Sequence, residues 1–229
     1  MSPAAPPPRR GEPLPPGLRQ RVYDTPQGPA RLVVRQSPRP IASLLLQHGA
    51  GGGIESPDLW ALLQHLPRHG VTVSLLEQPW RVAGRRVAGP PASLDAAVTA
   101  VVDRLRPRTP LVLGGRSAGA RSAARTARSL GASGCLALAF PLHPPGRPER
   151  SRLDELRGAG VPMLVVQGER DAFGRPEEFP DDVEMTVVPG ADHSFAVPKR
   201  GDVTPEEVRE LLVESVLEWV VREVAGSGR

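Results

Sequence analysis

The sequence predicts an α/β fold, a mostly parallel central sheet with helices packed on both faces. Three observations carry the prediction. From about residue 20 onward, strand-sized apolar runs alternate with helical patterns, and such alternation implies helices covering a parallel sheet. Several of the runs, such as Leu44-Leu45-Leu46 and Leu111-Val112-Leu113, are apolar at every position, as strands buried on both faces are. Glycine and proline punctuate the joins between runs.

In order, residues 20–24 and 30–36 flank Pro26-Gln27-Gly28-Pro29 and read as a hairpin. Residues 43–47 form a strand. A helix over 57–68 follows, with Ser56 as its cap and Pro57 at its first position. A strand over 71–76 leads to a helix over 93–104, with Ser93 in the capping position. The strand at 111–114 runs into an alanine-rich helix over 118–130 that Gly131 ends. A strand at 135–140, a short helix at 150–157 and strands at 163–167 and 183–188 come next. Thr204-Pro205-Glu206-Glu207 opens a final amphipathic helix that runs to about Val224. Two irregular stretches, 80–92 and 141–150, follow strands and so belong at the carboxyl edge of the sheet, where ligands bind in such folds.

Composition narrows the function classes. The 229 residues suit one enzyme-sized domain, and no internal repeat or second domain is visible. The first nineteen residues hold seven prolines and three arginines; the expectation is a disordered tail over 1–19 and a single domain over 20–229. That tail has no apolar segment of secretory type and no run reaches the ~18 residues that span a bilayer, so the expectation is a cytoplasmic protein without membrane contact. Cys135 is the lone cysteine and reads as a buried apolar residue. The net charge of +4 is dispersed among acids, and aromatics are only 3% of the chain, a poor composition for gripping nucleic acid. No His, Cys or acidic cluster has metal-ligand spacing, and no cofactor is expected.

The chemistry resides in Gly115-Arg116-Ser117-Ala118-Gly119, a G-x-S-x-G placed between a strand and a helix. A serine on that sharp turn needs small residues on either side, and the helix behind it favours developing negative charge. Ser133 lacks the second glycine. A serine hydroxyl also needs a base, and His193 follows the last strand in Gly190-Ala191-Asp192-His193-Ser194-Phe195. It needs an acid to orient that base, and Asp171 follows the preceding strand in Gln167-Gly168-Glu169-Arg170-Asp171. Glu169 is a rival acid, and Asp192, adjacent to the histidine, a weaker one. For an oxyanion, one donor is the Ala118 N–H. The other comes from His48-Gly49-Ala50-Gly51-Gly52-Gly53, with the N–H of Ala50 favoured and that of Gly51 second.

The segments Gln47-His48-Gly49-Ala50-Gly51, Gly114 to Gly119, Pro141-Leu142-His143-Pro144-Pro145-Gly146, Gln167 to Asp171 and Asp192-His193-Ser194-Phe195 together resemble the α/β-hydrolase superfamily. More narrowly, the chain resembles the small dienelactone-hydrolase-like group of uncharacterised bacterial hydrolases, over about residues 20–225. The order serine, aspartate, histidine is the one found in that superfamily. The resemblance implies a core of about seven or eight strands, a minimal cap and a serine hydrolase of the carboxylesterase or thioesterase kind, with a small acyl compound as substrate.

In the expected reaction Ser117 attacks an acyl carbonyl, His193 moves the proton, Asp171 holds the imidazole and water clears the acyl-enzyme. His48, Arg116 and His143 are candidate pocket residues; for His48 shaping the oxyanion loop is favoured over proton transfer, and His143 equally suits a structural loop role. Arg81, Arg85, Arg86 and Arg147 come from the irregular stretches; they either attract an anionic substrate or reflect the abundance of arginine. His65 and His69 read as surface residues. A peptidase would need a gating domain, and a haloalkane dehalogenase an aspartate at position 117. A non-catalytic interaction protein on the same fold is the main alternative, since some eukaryotic relatives of the group serve in chromatin regulatory complexes. Oligomeric state is not legible in the sequence.

Overall fold

The computed structural model describes residues 12–226, so residues 1–11 of the expected tail lie outside the described residues. From Leu14 the chain already lies against the body, where Leu14 and Leu18 pack on the core. The strands are β1 (Arg19–Thr25), β2 (Gly28–Arg35), β3 (Ala42–Gln47), β4 (Val71–Glu77), β5 (Leu111–Arg116), β6 (Gly134–Leu138), β7 (Met163–Gly168) and β8 (Met185–Val188). The helices are α1 (Pro57–His65), α2 (Pro79–Val82), α3 (Pro91–Leu105), α4 (Ala118–Thr126), α5 (Leu153–Arg157) and α6 (Pro205–Trp219), the last continued by a wider turn over Val220–Ala225.

The sheet order is β1-β2-β4-β3-β5-β6-β7-β8. β1 and β2 form the expected hairpin, β2 lies antiparallel to β4, and the remaining pairs are parallel. Side chains alternate between faces of the pleat, and the core splits accordingly. Leu44 and Leu46 of β3 join the cluster under α1 and α6, while Leu45 joins the one under α3, α4 and α5. That division is the reason the run Leu44-Leu45-Leu46 has no polar member. Cys135 is buried in the second cluster. Among the described residues no helix is long and apolar enough to cross a membrane, and no group of three or more His, Cys, Asp or Glu could hold a metal ion.

Several helix boundaries differ from the sequence reading. Ser56 precedes α1 as expected, yet its hydroxyl donates back to the Gly53 carbonyl at 3.2 Å and caps nothing. α3 starts at Pro91, so Ser93 lies inside its first turn with its hydroxyl donating to Pro90 O. Proline at the first position makes this possible, because that residue needs no N–H partner. α4 ends at Thr126, and turns carry the chain to Gly131, which takes a left-handed φ of 66°. Thr204 does cap α6, reciprocally with Glu207. His65, expected at the surface, is buried on α1.

Candidate active site

The parallel strands all deliver their following loops to one edge of the sheet, and the sequence-predicted residues converge there. Ser117 stands between β5 and α4 with φ 53° and ψ −113°, a strained conformation for a residue with a side chain. The turn is tight. A Cβ at Gly115 would lie 2.6 Å from the Gly119 carbonyl carbon, and one at Gly119 would lie 2.5 Å from the Gln47 carbonyl oxygen. The serine N–H donates to Leu138 O at 2.9 Å, tying the turn to β6.

His193 lies on the loop between β8 and α6. Its Nε2 is 2.9 Å from Ser117 Oγ and its Nδ1 is 2.7 Å from Asp171 Oδ2. A carboxylate only accepts, so Nδ1 carries the proton in this arrangement and Nε2 accepts from the serine hydroxyl. Asp171, fully buried beyond the end of β7, also accepts from Gln167 Nε2 at 3.0 Å and from the Phe173 N–H at 2.8 Å. The rival acids have other work. Glu169 accepts from the Gly190 N–H at 2.6 Å, and Asp192 accepts from the N–H groups of Ser194 and Ala196. Both carboxylates brace the histidine loop from the backbone and neither orients the ring.

The linear sequence assigns no role to Phe173, and none to Gln167 beyond its place in the segment that leads to Asp171. Phe173 stacks on the His193 ring with centroids 4.1 Å apart and planes inclined 29°. Gln167 reaches Asp171, Phe140 O and Gly174 O from the floor of the site.

The glycine loop after β3 passes beside the serine. A Cβ at Gly49 would lie 3.3 Å from both Arg116 O and Ser117 Cβ. This places Ala50 and Gly51 next along the same loop. Ala118, next after the nucleophile, is the first residue of α4, so its N–H has no partner within the helix. The loop and the helix start that carry the expected oxyanion donors thus both border Ser117.

The three candidate pocket residues are occupied in other ways. His48 is buried; its Nε2 accepts from the Gln78 N–H at 3.1 Å and its Nδ1 contacts Gly49 O at 2.8 Å. Burial holds its pKa below the ordinary histidine value. It is a neutral brace for the glycine loop. His143 is also buried, with Nδ1 2.9 Å from Pro144 O and Nε2 2.8 Å from Glu178. Burial opposes its charged form, but the bonds to Pro144 and Glu178 outweigh it and the pKa is raised. Arg116 is engaged by the protein itself: Nη2 donates to His193 O at 3.0 Å and Nε lies 3.4 Å from Asp58 Oδ2. Asp58 is buried on α1; burial pushes its carboxyl up, and Arg116 pulls it back. Of the loop arginines, Arg81 pairs with Glu55 at 2.9 Å, while Arg85, Arg86 and Arg147 are exposed.

Known proteins share this fold. The family model described as an alpha/beta hydrolase domain matches residues 40–221. Among solved structures, XC6422 from Xanthomonas campestris, described as an a/b serine hydrolase without lid, is similar at 21% identity and TM-score 0.65, covering 90% of this chain and 96% of that one. Est1E from Butyrivibrio proteoclasticus is 17% identical with TM-score 0.67, covering 89% and 99%. Dienelactone hydrolase from Anabaena variabilis is 15% identical with TM-score 0.68, covering 91% and 99%. At these identities the likeness is one of fold, and the family match spans most of the chain: the protein belongs to the alpha/beta hydrolase domain family.

Proposed function

We propose that the protein is a serine hydrolase that cleaves small carboxylic esters or thioesters through an acyl-enzyme. The observation that carries this reading is the continuous line Ser117 Oγ, His193 imidazole, Asp171 carboxylate, with contacts of 2.9 and 2.7 Å, built on a serine held at a strained φ. His193 takes the Ser117 proton as Oγ attacks the acyl carbon. Asp171 holds the ring and stabilises its charged form without taking the proton. The N–H groups of Ala118 and Ala50, with Gly51 next to it, face the developing oxyanion; losing one such donor typically costs ~3 kcal/mol of barrier. His193 then protonates the leaving group, and water, activated by the same imidazole, frees the acid. The residues use no cofactor.

The proposed substrate is small because the segments joining the strands supply no cap domain. Two similar structures point the same way: XC6422 is described as lidless, and Est1E has been solved with ferulic acid bound. A p-nitrophenyl ester series from acetate to decanoate tests the reading. The expected result is a burst near one equivalent of p-nitrophenol and a preference for short acyl chains. Absence of turnover on every ester and thioester by the folded protein would overturn it.

A further inference from the structure

We infer that Arg116 and Asp58 form a positioning device for the base: Arg116, one residue before the nucleophile, grips the backbone carbonyl of His193, and Asp58 holds Arg116 in place. The inference rests on the serine-hydrolase reading above and adds to it two residues that never touch the substrate.

Three loops must keep register for Ser117 to meet His193, namely the elbow, the glycine loop and the histidine loop. Arg116 lies beside all three. Its backbone is the last residue of β5, its Nη2 donates to His193 O at 3.0 Å, and a Cβ at Gly52 would lie 3.9 Å from its Nη1. Its side chain is 14% exposed and that of Asp58 only 2%. A buried ion pair of this kind contributes little net stability, because desolvation offsets the attraction. Geometry is what it supplies: Arg116 cannot swing away from His193 O without leaving Asp58 buried and alone. The charged groups that face His193 are Asp171 on Nδ1, Arg116 on the carbonyl with Asp58 behind it, and the adjacent Asp192, whose carboxylate is turned to its own loop.

The test is the rate of labelling by a fluorophosphonate, followed from pH 5 to 9, in Arg116→Met, Asp58→Asn and Arg116→Lys, with near-ultraviolet circular dichroism to report folding. Loosening the histidine loop lowers the plateau rate about tenfold or more in all three, since small misplacements of reacting groups are expensive. A substrate readout separates positioning from general loosening: on a p-nitrophenyl ester kcat falls while KM stays within twofold, because neither residue touches the substrate. Arg116→Lys keeps the charge and loses the fork, so its rate falls as well. Plateau rates within twofold of the natural protein, or a KM that rises as much as kcat falls, overturn the inference. If Arg116→Met and Asp58→Asn fail to fold, the rate of Arg116→Lys decides it alone. A natural protein that takes no label refutes the serine-hydrolase reading itself, a distinct result that removes this inference with it.

Discussion

Replacing Gly119 by alanine sets a methyl group 2.5 Å from the Gln47 carbonyl oxygen, 2.8 Å from its carbonyl carbon and 2.9 Å from its Cβ. Ordinary contact begins at 3.4 Å, so α4 and β3 must separate by about 0.9 Å (3.4 less 2.5), and two of the three atoms are backbone that cannot rotate aside. Overpacking of this kind costs ~1–3 kcal/mol. For a domain of this size each kcal/mol lowers Tm by ~2–4 °C, giving a fall of about 2–12 °C. The second effect is on chemistry. Gln47 leads directly into the glycine loop, and Gly119 is two residues past the nucleophile, so the displacement changes the distance between the two sides of the oxyanion site. A shift near 1 Å can cost ~100-fold in rate. Thermal unfolding and the rate of fluorophosphonate labelling measure the two effects separately. Gly51→Ala is the stability control, because a Cβ there meets nothing within 4 Å; its Tm should stay within about 2 °C of the natural value. A Gly119→Ala protein with natural Tm and natural labelling rate would refute the packing argument.

Asp171→Asn leaves the shape of the site intact but offers Nδ1 a different partner; kcat on a p-nitrophenyl ester should fall about 10³–10⁴-fold with the fold preserved, and a loss under tenfold would show that another group orients the ring. Phe173→Ala removes a stacked ring worth ~0.5–1.5 kcal/mol, so kcat/KM should drop by roughly 2- to 12-fold, with unchanged rates counting against a role for the stack. The His143–Glu178 pair gives a pH signature. His143 has a raised pKa, so its stabilisation is complete below its ordinary 6.5 and is lost as pH climbs through the folded value; Glu178, lowered by the Arg175 N–H and by His143, contributes fully above its ordinary 4.5 and is lost as pH falls through its folded value. The Tm gap between the natural protein and Glu178→Gln should therefore be widest from pH 4.5 to 6.5 and shrink above it. Equal gaps at pH 5.5 and 8.5 would contradict the assignment.

The parts of this molecule that were legible in sequence are those dictated by short-range pattern. Leu44-Leu45-Leu46 announced a strand buried on both faces because pleat geometry leaves no polar position. Gly115 and Gly119 marked the elbow because side chains there collide with backbone. Ser117, Asp171 and His193 could be ordered along the chain because each follows a strand of the same sheet. The residues that hold these three were not legible. Gln167, Phe173 and Asp58 act across 4 to 58 positions of sequence, through contacts that exist only after the strands have paired. The scaffold partners of the pocket candidates were not legible either: His48 meets Gly49 O and the Gln78 N–H, Arg116 meets His193 O, and His143 meets Glu178, contacts that the linear order does not announce. The serine caps at Ser56 and Ser93 were misread because each hydroxyl bonds a carbonyl three residues back, which competes with capping.

The most direct test of the account is fluorophosphonate labelling of the natural protein beside Ser117→Ala and His193→Ala. One label per chain on Ser117, abolished by the first substitution and slowed at least about 10³-fold by the second, is the predicted result. A folded natural protein that takes no label, or a label that survives Ser117→Ala, would contradict the claim that this site activates a serine.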